Sequence, residues 1–68
     1  MDIRRRVGRN IKALREAKGW SQEELADQAE LHRTYVSGVE RGLRNPTVTV
    51  LERLAKALKV TIGKVTDA

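Results

Sequence analysis

Cysteine is absent from this 68-residue chain. Neither a disulfide nor a thiolate metal site is therefore available to hold it together, and the absence fits a reducing cytoplasm. His32 is the only histidine. No Gly-rich phosphate loop occurs, and no acidic cluster resembles a metal site. An enzyme is accordingly not expected, and no cofactor or metal is called for. Long apolar runs are missing as well. Charges interrupt every apolar segment, so a membrane span is not expected. The arginine-rich N-terminus is followed by no apolar stretch, which argues against a secretion signal. There is also no alternating strand pattern, internal repeat or low-complexity linker.

What is present is charge, unevenly spread. The formal net charge of +5 invites a polyanionic partner. Residues 1–20 carry seven Lys/Arg against Asp2 and Glu16. Residues 21–31 carry Glu23, Glu24, Asp27 and Glu30 and no cation. Residues 32–45 carry Arg33, Arg41 and Arg44 against Glu40. Taken one at a time, most of these charges are ordinary solvated helix faces. The length allows one domain, spanning 1–68. A chain this short buries only about 60% of the surface its unfolded form exposes. Self-association is the remaining means of adding stability.

The pattern predicts an all-α fold of five helices. Helix one spans about Ile3 to Lys18, with Ile3, Val7, Ile11 and Leu14 on one stripe. Gly19 suits the left-handed residue that ends it, and Trp20 is expected to seal that corner. Ser21 and Glu24 form an S-x-x-E capping box for helix two, which satisfies free backbone N–H groups from both sides. Leu25, Ala26 and Ala29 face inward, and the helix ends near Ala29. Helix three spans about Arg33 to Arg41, N-capped by His32 and ended by Gly42, with Val36 and Val39 inward. Thr47 caps helix four, whose stripe is Val48, Leu51, Leu54, Ala55 and Leu58. Thr61 caps a short last helix bearing Ile62 and Val65, weakened by Gly63.

Helices two and three have the spacing of a helix-turn-helix. The small Ala26 sits where the second helix crosses the first, and Leu31 plugs the turn. On a 100° wheel, Thr34, Ser37, Gly38 and Arg41 lie opposite the two valines, with Arg33 and Tyr35 on the flanks. Such an order suits insertion of the second helix into a DNA major groove.

The segment SQEELADQAELHRTYVSGVERGLRNPT resembles the lambda-repressor-like, Xre-type DNA-binding domain. The resemblance extends to LERLAKALKV and covers essentially the whole chain. The run HRTYVSGVERGLRNPT is especially similar to the controller proteins of restriction–modification systems. The resemblance implies a compact, cytoplasmic, nucleoid-associated regulator of bacterial or phage origin that binds double-stranded DNA. It implies base reading by Arg33 and Thr34. Arginine can engage O6 and N7 of guanine, and Thr34 offers a methyl to thymine or a hydroxyl to phosphate. It implies further that Ser37 contacts either a base or a phosphate, and that Arg44 reaches a base edge as well as the backbone. Gln22, Arg41 and Asn45 match phosphate-gripping positions. Tyr35 either packs on the sugar–phosphate backbone or shields the helix flank. Gly38 departs from members with a long reading side chain there, and its expected effect is closer approach to the groove. Arg15 and Glu40 match a structural ion pair between helices one and three.

Three features sit awkwardly, the first being His32, a weak N-cap beside Ser, Thr or Asp that could donate to a phosphate instead. Glu30 occupies the turn position that usually holds glycine, at a cost of about 1–2 kcal/mol if left-handed. Glu23 near the DNA edge repels phosphate unless it points aside. A single helix-turn-helix reads few base pairs, so a homodimer on a pseudo-palindromic operator is expected. Val60, Ile62 and Val65 either form the dimer interface or complete the monomer core. No effector domain is visible, so no small-molecule ligand is expected. The alternative reading is a protein-interaction module or antitoxin-type regulator working through Glu23, Asp27 and Glu30.

Overall fold

Helix starts in this chain are written by short polar side chains. The computed structural model describes residues 2–67. Among them run α1 (Ile3–Ala17), α2 (Gln22–Ala29), α3 (Arg33–Glu40), α4 (Val48–Leu58) and α5 (Ile62–Thr66). Asp2, Ser21, Thr47 and Thr61 each accept a hydrogen bond from a first-turn backbone N–H. His32 makes no such bond at the start of α3. At Asp2 a hydrogen bond from the Arg4 side chain, then one from the Arg4 backbone, holds the carboxyl down to about 2. Only half of the expected capping box forms. The Glu24 N–H donates to Ser21 Oγ at 3.0 Å, but the Glu24 carboxylate accepts from Gln28 Nε2 at 2.9 Å. One helical turn brings the Gln28 amide within reach, and the carboxylate takes it.

The ends of α1, α2, α3 and α4 follow a single scheme. After α1, Trp20 N–H bonds to Arg15 O and Gly19 N–H to Glu16 O, the paired bonds of a Schellman motif. The same pairing closes α2, α3 and α4 through Leu31, Leu43 and Val60. Each needs one left-handed residue. Gly19 and Gly42 supply it without strain, whereas Glu30 (φ 58°) and Lys59 (φ 59°) do so with a Cβ in the way. Glu30→Gly is expected to raise the melting temperature by about 2–8 °C. Relief of strain, about 1–2 kcal/mol, exceeds the entropy glycine adds to the unfolded chain. Lys59→Gly should act alike in a calorimetric scan, and no rise in either variant would mean the strain is absent.

The core gathers Ile11, Leu25, Val36, Val39, Leu54 and Val65, all fully buried. Alpha-helix α1 packs on α3 and α5, α2 on α3 and α4, and α4 on α5. Two expected stripe residues fall outside this core: Ile3 is 53% exposed and Val48 is 67% exposed. Both open their helices, ahead of the turn that reaches the neighbours. The α1–α3 contact depends on Gly8. A Cβ there would lie 2.6 Å from the Glu40 carbonyl oxygen, so only glycine lets the two backbones touch.

Helix α5 is too short to stand by itself. Beyond its Thr61 cap and buried Val65, it is held by α1. Asn10 Nδ2 donates to the carbonyls of Val65 at 2.8 Å and Asp67 at 2.7 Å. Arg6 Nε donates to Thr66 O at 3.1 Å. The last carbonyls of the chain's final helix are therefore capped from the first.

Candidate nucleic-acid interface

Helix α3 divides along its length. Val36 and Val39 are buried beneath it, while Arg33, Thr34 and Arg41 are exposed. Tyr35 and Ser37 are half-buried on the boundary. The small Ala26 of α2, 2% exposed, allows the steep crossing that lifts α3 outward. Leu31 packs against the core in the turn between the two helices.

Gly38 is not open to solvent as the wheel suggested; it is buried. What covers it is Arg44. The Schellman bond from Leu43 N–H to Gly38 O, 2.9 Å, turns the chain back over α3. The next residue then lies along the helix. A Cβ on Gly38 would meet Arg44 Cγ at 2.7 Å, and the Arg44 guanidinium sits 5.6 Å from the centre of the Tyr35 ring. The stem lies against the helix, while the residue as a whole stays exposed. The space over this glycine is thus taken by the Arg44 stem.

Beneath α3 lies a closed polar network. Arg15 Nε donates to Glu40 Oε2 at 2.7 Å and Arg15 Nη2 to Glu40 Oε1 at 3.1 Å. A third donor, Arg15 Nη1, reaches Trp20 O at 2.6 Å. Its hydrogen bond to Glu40 holds the Arg15 guanidinium above its ordinary pKa. Gln22 Nε2 completes the set by donating to Glu40 Oε1 at 3.0 Å. An amide nitrogen carries two hydrogens, so this bond fixes Gln22 without exhausting its donors. Among the described residues no buried side-chain polar atom lacks a partner. The network joins α1, the α2 N-terminus and α3, and it sets the angle between them.

At the open edge, Glu23 Oε2 lies 4.0 Å from Arg33 Nη1, both largely exposed. The carboxylate that threatened to repel phosphate is turned toward an arginine. His32, Arg44 and Asn45 are also exposed around α3. At the other end of the molecule the dimer expectation needs correcting. Val65 is 0% exposed and belongs to the monomer core, because α1 and α4 close over α5. Val60 and Ile62 are half-buried and line an open groove of about 530 Å³ with Thr49, Glu52 and Arg53.

The sequence did not announce the packing of Arg44 on Gly38 or the bond from Gln22 to Glu40. Glycine at 38 was the one available signal, since a helix interior rarely takes glycine unless something lies against it.

A solvent-facing helix set across a second by a tight turn, over a buried ion pair, defines a helix-turn-helix protein. The helix-turn-helix family model matches residues 11–65, and the chain belongs to that family, one of DNA-binding transcription regulators rather than enzymes. An HTH-type transcriptional regulator of Sinorhizobium fredii is 48% identical over 61 residues, 90% of this chain and 79% of that protein. Control protein C.SmaI of Serratia marcescens is 44% identical over 64 residues, 94% of this chain and 76% of its own. The crystal structure of the restriction–modification controller C.AhdI from Aeromonas hydrophila superposes with a TM-score of 0.89 at 42% identity. It covers 91% of this chain and 94% of that one. No helix among the described residues is long and apolar enough to cross a membrane.

Proposed function

We propose that this chain is a cytoplasmic, sequence-specific regulator of transcription that binds double-stranded DNA as a homodimer, with α3 in the major groove. The observation that carries the reading is the division of α3: Arg33 and Thr34 exposed on one side, Val36 and Val39 fully buried on the other. A helix so anchored offers side chains to base edges without losing its footing. Arg33, Thr34, Ser37 and Arg44 read bases in this scheme. Gln22, Tyr35, Arg41 and Asn45 grip the backbone, which fixes register but carries no sequence information. The Glu23 partner of Arg33 is an exposed pair of little strength, readily exchanged for guanine or phosphate. Similarity to controller proteins across nearly the whole chain supports the same reading. The α4–α5 groove, with Val60 and Ile62 at its edge, supports a second copy of this chain as the partner that doubles the number of bases read.

Selection from random duplexes, followed by two variants, tests this. Arg33→Ala is expected to flatten base preference at one position of each half-site, a loss of about 1–3 kcal/mol of discrimination. Arg41→Ala should weaken binding to all sequences alike and leave the preferred sequence unchanged. Identical selection profiles for the two variants would refute the division between reading and gripping.

A further inference from the structure

Tyr35 and Gly38 are one helical turn apart on the same strip of α3. Glycine is a poor choice for that strip, since it weakens a helix relative to alanine. Its cost has a visible return. The Arg44 stem occupies the space a side chain would fill: Cγ, Nε and Cδ lie 2.7, 3.3 and 3.6 Å from a Cβ built on Gly38. Beyond the stem, the guanidinium rests over the Tyr35 ring at 5.6 Å, within the range of a cation–π contact. An arginine in a loop ordinarily samples many rotamers. Here one side of the stem is walled by the Gly38 backbone and the far end is held by an aromatic face. Arg44 therefore lies along the exposed side of α3 before any ligand arrives. A long side chain ordered in advance loses less freedom when it binds.

We propose that Gly38 is a positioning residue for Arg44: lacking a side chain, it leaves the slot in which Arg44 lies between α3 and Tyr35, and so fixes the direction from which the guanidinium meets a guanine edge. The inference rests on the DNA reading given above. It adds that base choice at the Arg44 position depends on a residue that touches no base. A β-carbon at position 38 pushes the stem outward, frees the guanidinium from Tyr35 and returns it to solvent as a diffuse charge. Affinity for phosphate then survives while discrimination falls.

Gly38→Ala is the test, read in three ways on the full chain. The melting temperature should hold or rise, because alanine favours the helix. In the free protein, the Arg44 methylene proton resonances should lose the ring-current shift imposed by Tyr35. On DNA, the guanine preference that Arg44→Ala abolishes should fall about tenfold in Gly38→Ala. The salt dependence of binding should not change, and Gly38→Ala/Arg44→Ala should show no further loss. Tyr35→Leu is the second variant, since it removes the ring and not the slot; it should move the same resonances and loosen the same base position. The proposal is overturned if Gly38→Ala leaves the Arg44 resonances and the base profile as they are. It is also overturned if Arg44→Ala changes no base preference in a chain that still selects a sequence. A wild-type chain that selects no sequence sinks the DNA reading instead, a different result from either of these.

Discussion

Arg15→Ala is expected to leave a large share of the molecules unfolded at room temperature. The Arg15 and Glu40 side chains are only 10% and 2% exposed, and their two hydrogen bonds of 2.7 and 3.1 Å are parallel and bidentate. Taking one partner away strands the other as a buried charge, which costs about 3–5 kcal/mol. A domain of this size has a total stability of only about 3–10 kcal/mol. The loss is compounded at Trp20, whose carbonyl accepts from Arg15 at 2.6 Å at the corner where α1 hands over to α2. Glu40→Ala should be as damaging, since it releases Gln22 as well as Arg15. Urea unfolding followed by the fluorescence of Trp20 measures both. Replacing the two together by Met and Leu should recover much of the loss, because an apolar pair of similar volume escapes the cost of desolvating charge. Recovery should stay incomplete, as Gln22 and the Trp20 carbonyl would still lack partners. A single variant that lost less than about 1 kcal/mol would show that the pair is open to water and of little consequence.

The helices were legible in the sequence because local chemistry writes them. Ser21, Thr47 and Thr61 cap where a hydroxyl precedes an apolar run, and Gly19 and Gly42 close where a left-handed residue is needed. The inward side of α3 followed from Val36 and Val39 at a spacing of three. The failures were tertiary. Ile3 and Val48 have the right period but stand at helix starts, where more than half of each stays exposed. Val65 was ambiguous because period says which residue is apolar and not which surface covers it. The Asn10 side chain, donating to two carbonyls more than fifty residues away, leaves no local trace. The same holds for Arg44: nothing within a few residues of it says that it folds back across Gly38. Residues of the candidate interface were nominated by type and order, but their support was invisible. Gln22 is held by Glu40 and Arg33 is faced by Glu23, and neither relation can be read until α2 and α3 are crossed.

Raising salt from about 50 to about 200 mM should weaken operator binding about a thousandfold. The size follows from counting cations on one face. Arg33, Arg41 and Arg44 are all exposed around α3, so the proposed dimer would bring about six arginines to one duplex. Each arginine drawn into the field of the duplex displaces condensed counterions, whether its guanidinium ends on a phosphate or on a base edge, which sets a log–log slope of about −5. Arg41→Ala removes one cation from each copy and should make the slope shallower by about 2 while the preferred sequence stays the same. A chain that binds as a monomer has half the cations and should show about half the slope. Sedimentation under the same conditions separates the two cases, since a dimer runs near twice 7.7 kDa. The pairing of slope and mass matters more than either value. A steep slope with a monomeric mass would mean that cations elsewhere, such as those of α1, also reach the duplex. A shallow slope with a dimeric mass would mean that α3 does not face the DNA at all.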